Sequence, residues 1–160
     1  MSRRRQIHGK YMVKIEFLAD HLDTIPTLTT WFRNQWHDYY ANSSDEEITQ
    51  DFLEDISRNS LPSRLVAFVS NEVVGTIVLR RSDIDDEPEL GGLYVDESFR
   101  AHGIGTELVK AVMNLAREQG YKSLTATTVK AAGILERLGW KFIETVQYPD
   151  GEVSLYRCKL

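Results

Sequence analysis

Residues 90–105 run LGGLYVDESFRAHGIG, and this stretch decides the fold. An apolar strand leads into a turn that contains Gly103, and the turn opens a strongly amphipathic helix. The start of a helix presents unpaired backbone N–H groups and the positive end of the helix dipole. Glycine lets a phosphate approach the backbone, because no Cβ stands in the way. The stretch therefore predicts a strand–turn–helix unit that holds a pyrophosphate group.

Two better-known phosphate-binding loops fit this stretch less well. A P-loop requires a Lys directly after its second glycine, and no Lys follows Gly105. A dinucleotide-binding loop requires a third small residue, where this chain has Leu108. It also requires an acidic residue about twenty positions further on, and the region around Thr125 has none. A helix-start turn without a ligand is the alternative that the stretch alone leaves open.

The composition is that of one globular domain. A chain of 160 residues, with 42% hydrophobic and 27% charged residues, is long enough to bury a core. Its apolar runs are too short to span a bilayer, and its first residues lack the apolar segment of a signal peptide. Cys158 is the only cysteine, so no internal disulfide can form. We therefore expect a cytoplasmic protein without a membrane partner.

The charge is distributed unevenly along the chain. The net charge is −5, yet residues 1–10 hold four of the 19 basic residues and leave 15 basic against 24 acidic residues elsewhere. An acidic body argues against nucleic-acid binding. We expect residues 1–10 to form a disordered basic tail and residues 11–160 to form a single domain. Binding of the tail to an acidic partner is the open alternative.

Apolar periodicity predicts a mixed α/β chain. A strand comes first, followed by two helices, the second starting at Ser43 or Ser44 and burying Ile48, Phe52 and Ile56. The later elements are predicted at residues 64–70 and 73–80 (a hairpin around Asn71 and Glu72), 89–96 (strand), 104–119 (helix), 122–129 (strand), 131–138 (helix), and 140–148 with 151–159 (a second hairpin). This order predicts a mainly antiparallel sheet that passes into a parallel strand–helix–strand crossover.

The spacing Arg100-x-x-Gly103-x-Gly105 after a strand, together with this order of elements, resembles the GNAT superfamily of acetyl-CoA-dependent N-acetyltransferases. The resemblance covers nearly the whole chain after residue 10. It implies an α/β fold with a mixed, splayed, mainly antiparallel sheet and helices on both faces. It also implies direct transfer of an acetyl group from acetyl-CoA to a primary amine. A non-catalytic acyl-CoA binding or sensing domain is the alternative, and a protein-interaction module is a third hypothesis.

The resemblance implies a set of backbone contacts to the acyl donor. The amides of residues 100–105 would hold the pyrophosphate, and the backbone of Leu93 and Val95 would pair with the pantetheine arm. The Val95 N–H would donate to the oxyanion of the reacting acyl group. Gly91 and Gly92 would mark the point where the strand splays. The cofactor-binding residues expected are Leu93, Tyr94, Val95, Arg100, Ala101, His102, Gly103, Ile104, Gly105 and Thr106.

Glu89 is the predicted general base. It stands eleven residues before Arg100, which is the spacing of the catalytic Glu in histone-acetylating members of the family. It would take a proton from the acceptor ammonium, directly or through water. The acidic residues 83–87 nearby would attract a cation, and a solvated charged loop is the alternative for them.

The general acid is unassigned by the resemblance. The family's usual acid is a Tyr four residues before the Gly of a closing Tyr-x-x-x-Gly-Phe segment, and here Leu135 stands in its place. Tyr148 and Tyr156 are candidate substitutes, or no acid is needed, because a thiol with a pKa of about 8.5 leaves with little help.

The acceptor pocket is predicted to lie beside the first helix. His37, Tyr39 and Tyr40 are expected to face a small-molecule or peptide amine, since aromatic faces can hold a cation, whereas Trp36 is expected in the core. The acceptor's identity stays open, and a homodimer is a possibility. The sequence shows no His, Cys, Asp and Glu set with metal-ligand spacing.

Overall fold

A single eight-stranded sheet runs through the computed structural model, which describes residues 2–7, 11–149 and 151–160. The strands lie in the order β1-β2-β3-β4-β5-β6-β8-β7. They are β1 Ser2–Ile7, β2 Tyr11–Phe17, β3 Ser63–Val69, β4 Glu72–Arg81, β5 Pro88–Val95, β6 Ser123–Thr128, β7 Lys141–Tyr148 and β8 Gly151–Lys159. The helices are α1 Ile25–Gln35, α2 His37–Tyr40, α3 Asp45–Leu53, α4 Ile104–Glu118 and α5 Ala132–Arg137, with short 3₁₀ turns at Leu18–Asp20, Leu22–Thr24 and Glu97–Phe99.

The sheet is antiparallel except where β5 meets β6. Those two strands are parallel and are joined by α4, so the predicted crossover is confirmed. The expected mixed α/β fold is confirmed with it. None of the helices in the described ranges combines the length and the apolar character that a membrane span requires.

Both faces of the sheet are covered by helices. Strand β3 alternates between them: Leu65 belongs to the core cluster that includes α4, and Val66 belongs to the cluster that includes α1 and α3. Every residue of β3 is buried, as expected for a strand covered on both faces. The α4 residues predicted to be buried are all in the first cluster, namely Ile104, Leu108, Val112 and Leu115.

Helix α3 begins as predicted and ends early. Ser44 Oγ accepts from the Glu47 N–H at 3.1 Å, and the Glu47 carboxylate accepts from the Ser44 N–H, which completes a capping box. These hydrogen bonds lower the pKa of Glu47. Ile56, predicted on this helix, is instead in an isolated bridge with Ser63 and is 41% exposed. The chain leaves the helix because Asp55 is hydrogen bonded to Arg64 through both its backbone and its carboxylate.

Part of the expected disordered tail is an edge strand instead. Ser2–Ile7 pair antiparallel with β2, from Ser2 opposite Glu16 to Ile7 opposite Tyr11. Basic residues are common on edge strands, because their charge discourages pairing with another molecule, so a basic composition does not require disorder. Met1 and residues 8–10 lie outside the described part of the chain.

The first hairpin turn is displaced by one residue from its prediction. Ser70 and Asn71 have positive φ values of 49° and 68°, so they occupy the two central positions of the turn, and Glu72 already belongs to β4. Two left-handed residues are typical of a turn whose twist matches that of the strands it joins.

Candidate active site

The strands β5 and β6 separate at the middle of the sheet. Within the described residues they pair only at Glu89 with Thr125 and at Leu90 with Ala126. Strand β5 continues to Val95 beside β4 alone, so a gap opens between β5 and β6. This gap is the splay that the family resemblance implied.

A bulge in β5 lies at the mouth of the gap. Val78 of β4 is opposite Gly91, and Thr76 is opposite Tyr94, so β5 has one residue more than β4 over this stretch. Gly92 has a φ of 55°, which glycine adopts without the strain that a Cβ would bring. The predicted role of the two glycines as a bulge is confirmed.

Backbone groups of β5 point into the gap. The Asp96 N–H donates to the Val74 carbonyl of β4 at 2.8 Å. Because successive residues of a strand direct their backbone groups to opposite sides, those of Val95 point away from β4, and so do those of Leu93. The Val95 carbonyl accepts from Arg100 Nε at 2.9 Å, which leaves the Val95 N–H as the donor directed into the gap.

The turn before α4 gathers further N–H groups. Ala101 and Gly103 both have positive φ values, 64° and 79°, and Gly103 is the N-cap residue of α4. Such alternations of backbone hand make concave nests of amide groups. The first amides of α4 have no acceptor within the helix, because an α-helix leaves its first four N–H groups unpaired. The turn therefore has a backbone geometry suited to an anion, and its binding of one stays a prediction.

Close packing also explains why residue 105 is a glycine. A Cβ at this position would stand 3.1 Å from Ile134 Cδ1 and 3.8 Å from Val95 Cγ2. Glycine thus allows the start of α4 to lie close to α5 and β5. The side chain of Ile104 is buried in the core, so only its backbone is available to a ligand.

Other predicted donor-site residues attach the turn to the rest of the fold. The His102 ring meets the Tyr11 ring edge-on at 5.0 Å and is half-buried. The Tyr94 ring stacks on Trp31 at 5.0 Å, and the Arg100 guanidinium lies 5.3 Å from the centre of the Tyr94 ring. Thr106 is half-buried in the first turn of α4.

Glu89 lies where the two strands part. Its carboxylate accepts from Arg80 Nε at 2.9 Å, and its side chain is 13% exposed. The Arg80 guanidinium lies over Gly91, since a Cβ there would be only 2.6 Å from the guanidinium carbon. Gly91 therefore makes room for the ion pair that holds Glu89 beside the gap.

Arg64 is a site residue that sequence reasoning did not find. It is 4% exposed, its Nε donates to Asp55 Oδ2 at 2.8 Å, and its Nη1 donates to Thr76 Oγ1 at 3.2 Å. The guanidinium lies 5.0 Å from the centre of the Phe52 ring and 5.3 Å from that of Phe32. Burial lowers the pKa of Arg64, and Asp55 opposes that shift. The available signal was a charged residue directly before the apolar run LVAFV.

The predicted acceptor-pocket residues separate into two groups. Tyr40 is half-buried, and burial raises the pKa of its hydroxyl. His37 and Tyr39 are largely exposed, with Tyr39 at 76%. Trp36, expected in the core, is 37% exposed, because it follows the last residue of α1 and meets Phe32 only edge-on, with the ring centres 4.8 Å apart.

The position of the family's usual acid is a core position in this chain. Leu135 is 1% exposed and packs in the same cluster as α4. Tyr156 is buried, and its hydroxyl donates to Glu136 Oε1 at 2.6 Å, a hydrogen bond that raises the pKa of Tyr156. Tyr148 is half-buried on β7. Of the two tyrosines that could replace the missing acid, Tyr156 already donates its hydroxyl proton in a hydrogen bond to Glu136.

Comparisons with known proteins agree with this geometry. Residues 25–140 match the sequence model of the acetyltransferase (GNAT) family. A probable N-acetyltransferase camello from Xenopus tropicalis is 35% identical over 104 residues, covering 58% of this chain and 48% of that protein. An N-acetylaspartate synthetase from the same species is 31% identical over 87 residues, covering 52% of this chain and 32% of that protein. The chain thus spans half or less of these two relatives.

A solved structure shares the fold at low sequence identity. An aminoglycoside 6′-N-acetyltransferase complexed with coenzyme A has a TM-score of 0.74 and 18% identity, covering 91% of this chain and 96% of that one. At this identity the similarity shows the fold alone. The family match extends from α1 to Trp140 and so includes the bulge, the gap and the turn. The chain therefore belongs to the GNAT acetyltransferase family, as the sequence predicted.

Proposed function

We propose that the protein transfers an acetyl group from acetyl-CoA to a primary amine by direct attack. The observation that carries this proposal is the gap between β5 and β6, which leads directly to the amide-lined turn before α4. The names of both curated relatives, an N-acetyltransferase and a synthetase of an N-acetylated amino acid, support the same reaction class.

The donor side would hold coenzyme A mainly through backbone atoms. The amides of residues 100–106 would bind the pyrophosphate, which is favoured by the positive end of the α4 dipole. The backbone of Leu93 and Val95 would pair with the pantetheine arm in the manner of an added strand. Acetyl-CoA would supply the acetyl group as a reactive thioester. The residues present fit this ligand, since the turn offers N–H groups and the left-handed Gly103 leaves no Cβ.

Groups beside the gap would accept a proton from the amine and stabilise the charge that develops on the acetyl oxygen. Glu89 would accept one proton from the ammonium, which frees the nitrogen lone pair for attack. The Val95 N–H would stabilise the negative charge that develops on the acetyl oxygen. As the C–N bond forms and the C–S bond breaks, the nitrogen loses a second proton to solvent, and the thiolate that leaves gains one to become the free thiol of CoA. Leu135 can donate no proton, so the thiolate would leave unaided or take a proton from solvent or Tyr156.

The amine-dependent release of thiol from acetyl-CoA tests this proposal. Incubation with a panel of primary amines should yield free thiol and an acetylated product, identified by mass, for at least one class of amine. The alternative, an acyl-CoA binding or sensing domain, would bind CoA in calorimetry and release no thiol with any amine. A protein-interaction module would do neither.

We also propose the extent of the domain, its location in the cell and its partners. We place the domain, to which residues 2–7 add an edge strand beyond the predicted span 11–160, in the cytoplasm, with the sole cysteine, Cys158, buried and reduced. The acceptor would be a small-molecule or peptide amine. A homodimer and the lack of a nucleic-acid partner stay predictions.

A further inference from the structure

The guanidinium of Arg64 has one nitrogen, Nη2, that is not used in the hydrogen bonds described above. Its Nε and Nη1 donate to Asp55 and Thr76, but its Nη2 has no hydrogen-bond partner among the residues that the structure describes. Nη2 is not among the fully enclosed polar atoms that lack a partner, although the residue as a whole is only 4% exposed. The nitrogen therefore keeps some access to its surroundings and is available to a ligand.

This nitrogen lies at the β5 bulge. A Cβ on Gly92 would stand 3.3 Å from Arg64 Nη2, so the guanidinium lies directly against the backbone at the mouth of the gap. The free donor thus lies beside the place where the proposed reaction would occur.

A second guanidinium lies on the same side of the bulge. Arg80 lies over Gly91, is 47% exposed and donates from its Nε to Glu89, and its terminal nitrogens have no hydrogen-bond partner among the described residues. Arg64 and Arg80 are close enough for their charges to repel, and the hydroxyl of Tyr40 lies within electrostatic reach of both. Asp55 and Glu89 each accept from one Nε, so neither carboxylate occupies the terminal nitrogens of the two guanidinium groups.

We propose that the acceptor amine also carries an oxyanion, a carboxylate or a phosphate, which Arg64 and Arg80 bind beside the Gly91 and Gly92 bulge. This inference rests on the proposed acetyl transfer. A guanidinium recognises either oxyanion through paired N–H groups. Since Glu89 is 2.9 Å from Arg80, a compact amine with a nearby oxyanion reaches the base and the guanidinium groups together. If the acceptor must carry an oxyanion, then polyamines and other amines without an anionic group should be poor substrates.

Matched pairs of amines test the inference. The thiol-release assay is run with glycine and glycinamide, β-alanine and β-alaninamide, and phosphoethanolamine and ethanolamine. The wild-type protein should favour the anionic member of at least one pair by about tenfold or more in kcat/KM, as one charged hydrogen bond implies. The pair that shows the preference tells carboxylate from phosphate.

Arg64→Lys is the diagnostic variant. It keeps the charge and a partner for Asp55 but lacks the Nη2 donor. The preference should fall to about twofold or less, because the anionic members lose much more kcat/KM than the neutral members do. Arg58→Lys is the matched control, because Arg58 pairs with Asp20 on the surface. It should leave the preference unchanged. If Arg64→Lys does not fold, Arg80→Lys and the double variant Arg64→Met with Asp55→Asn serve the same purpose.

The outcomes separate this inference from the proposed function. Equal turnover of both members by the wild type, or an equal loss for both in Arg64→Lys, would overturn the oxyanion site and leave acetyl transfer intact. Failure of every amine, charged or neutral, would count against acetyl transfer itself. In that case, calorimetry with N-acetylglycine and N-acetylglycinamide on the CoA-loaded protein tests the oxyanion site. Equal binding of the two would overturn it, and selective binding of the acid would support it.

Discussion

The two sides of the gap between β5 and β6 are built from different atoms. The proposed donor side consists of backbone N–H groups from one continuous stretch, residues 93–106. The proposed acceptor side consists of side chains from separate elements: Tyr40 of α2, Arg64 of β3, Arg80 of β4 and Glu89 of β5. A backbone site is changed by altering the conformation of the chain, whereas a side-chain site is changed by altering single groups. Substitutions should therefore affect donor binding and acceptor chemistry separately.

The largest effect is expected at Glu89. Glu89→Gln keeps an oxygen for Arg80 but cannot accept a proton, so kcat/KM for an amine should fall about a hundredfold at neutral pH. Activity should partly recover as the pH rises towards the amine's own pKa, about 10, because free amine then becomes available. Steady-state kinetics across pH measures both effects.

Two controls accompany this variant. Glu87→Gln removes a neighbouring charge from the exposed acidic loop and should leave kcat/KM nearly unchanged. The CoA affinity of Glu89→Gln should also be unchanged, because the donor side is made of backbone. A Glu89→Gln enzyme within about twofold of the wild type at pH 7 would show that Glu89 is not the base.

A smaller effect is expected at Leu135. Leu135→Tyr restores the family's usual residue but places a larger ring in a position that is 1% exposed, so we expect a destabilisation of about 1–3 kcal/mol from overpacking. Denaturant unfolding measures it, with Leu135→Met as a volume-conserving control. A variant of unchanged stability whose rate rises on the alkaline side would instead show that the ring reaches the gap and supplies an acid.

The smallest effect is expected at the start of α3, which supports the acceptor side through Phe52. Ser44→Ala removes the capping hydroxyl and should cost about 1 kcal/mol of stability. Ser43→Ala, one residue earlier and outside the capping box, should cost far less. Thermal unfolding of the two variants measures the difference, and equal midpoints would argue against the cap. Neither change should alter CoA affinity.

The donor side was more predictable from sequence than the acceptor side, for a physical reason. The bulge at Gly92 and the left-handed Gly103 are local features, so the residue types that permit them stand next to each other. The environment of Arg64 depends on Phe32 and Thr76, which are distant along the chain. No local pattern specifies such packing. The early end of α3 has the same origin, since it depends on the hydrogen bonds that join Asp55 to Arg64 of β3.

The family pattern identified the candidate base and the missing acid, but it could not predict the surroundings of either residue. The spacing from Arg100 identified Glu89 as a candidate, and the structure adds its ion pair with Arg80, which spacing could not reveal. The substitution at Leu135 was visible in the sequence, but only burial shows that this position belongs to the core. Strand β1 was hidden because its pairing with β2 depends on backbone hydrogen bonds rather than on an apolar pattern.

Titration of CoA by calorimetry into the wild type, Gly103→Val and Gly120→Val tests the central claim most directly. Both glycines have positive φ, 79° and 90°, and they lie at opposite ends of α4, so both variants carry similar backbone strain. A Cβ at Gly120 meets nothing within 4 Å. We expect Gly103→Val to lose CoA affinity about a hundredfold or more, as the loss of two hydrogen bonds to a charged group implies, and Gly120→Val to keep it. A folded Gly103→Val protein that binds CoA as tightly as the wild type would contradict the assignment of the donor site to this turn.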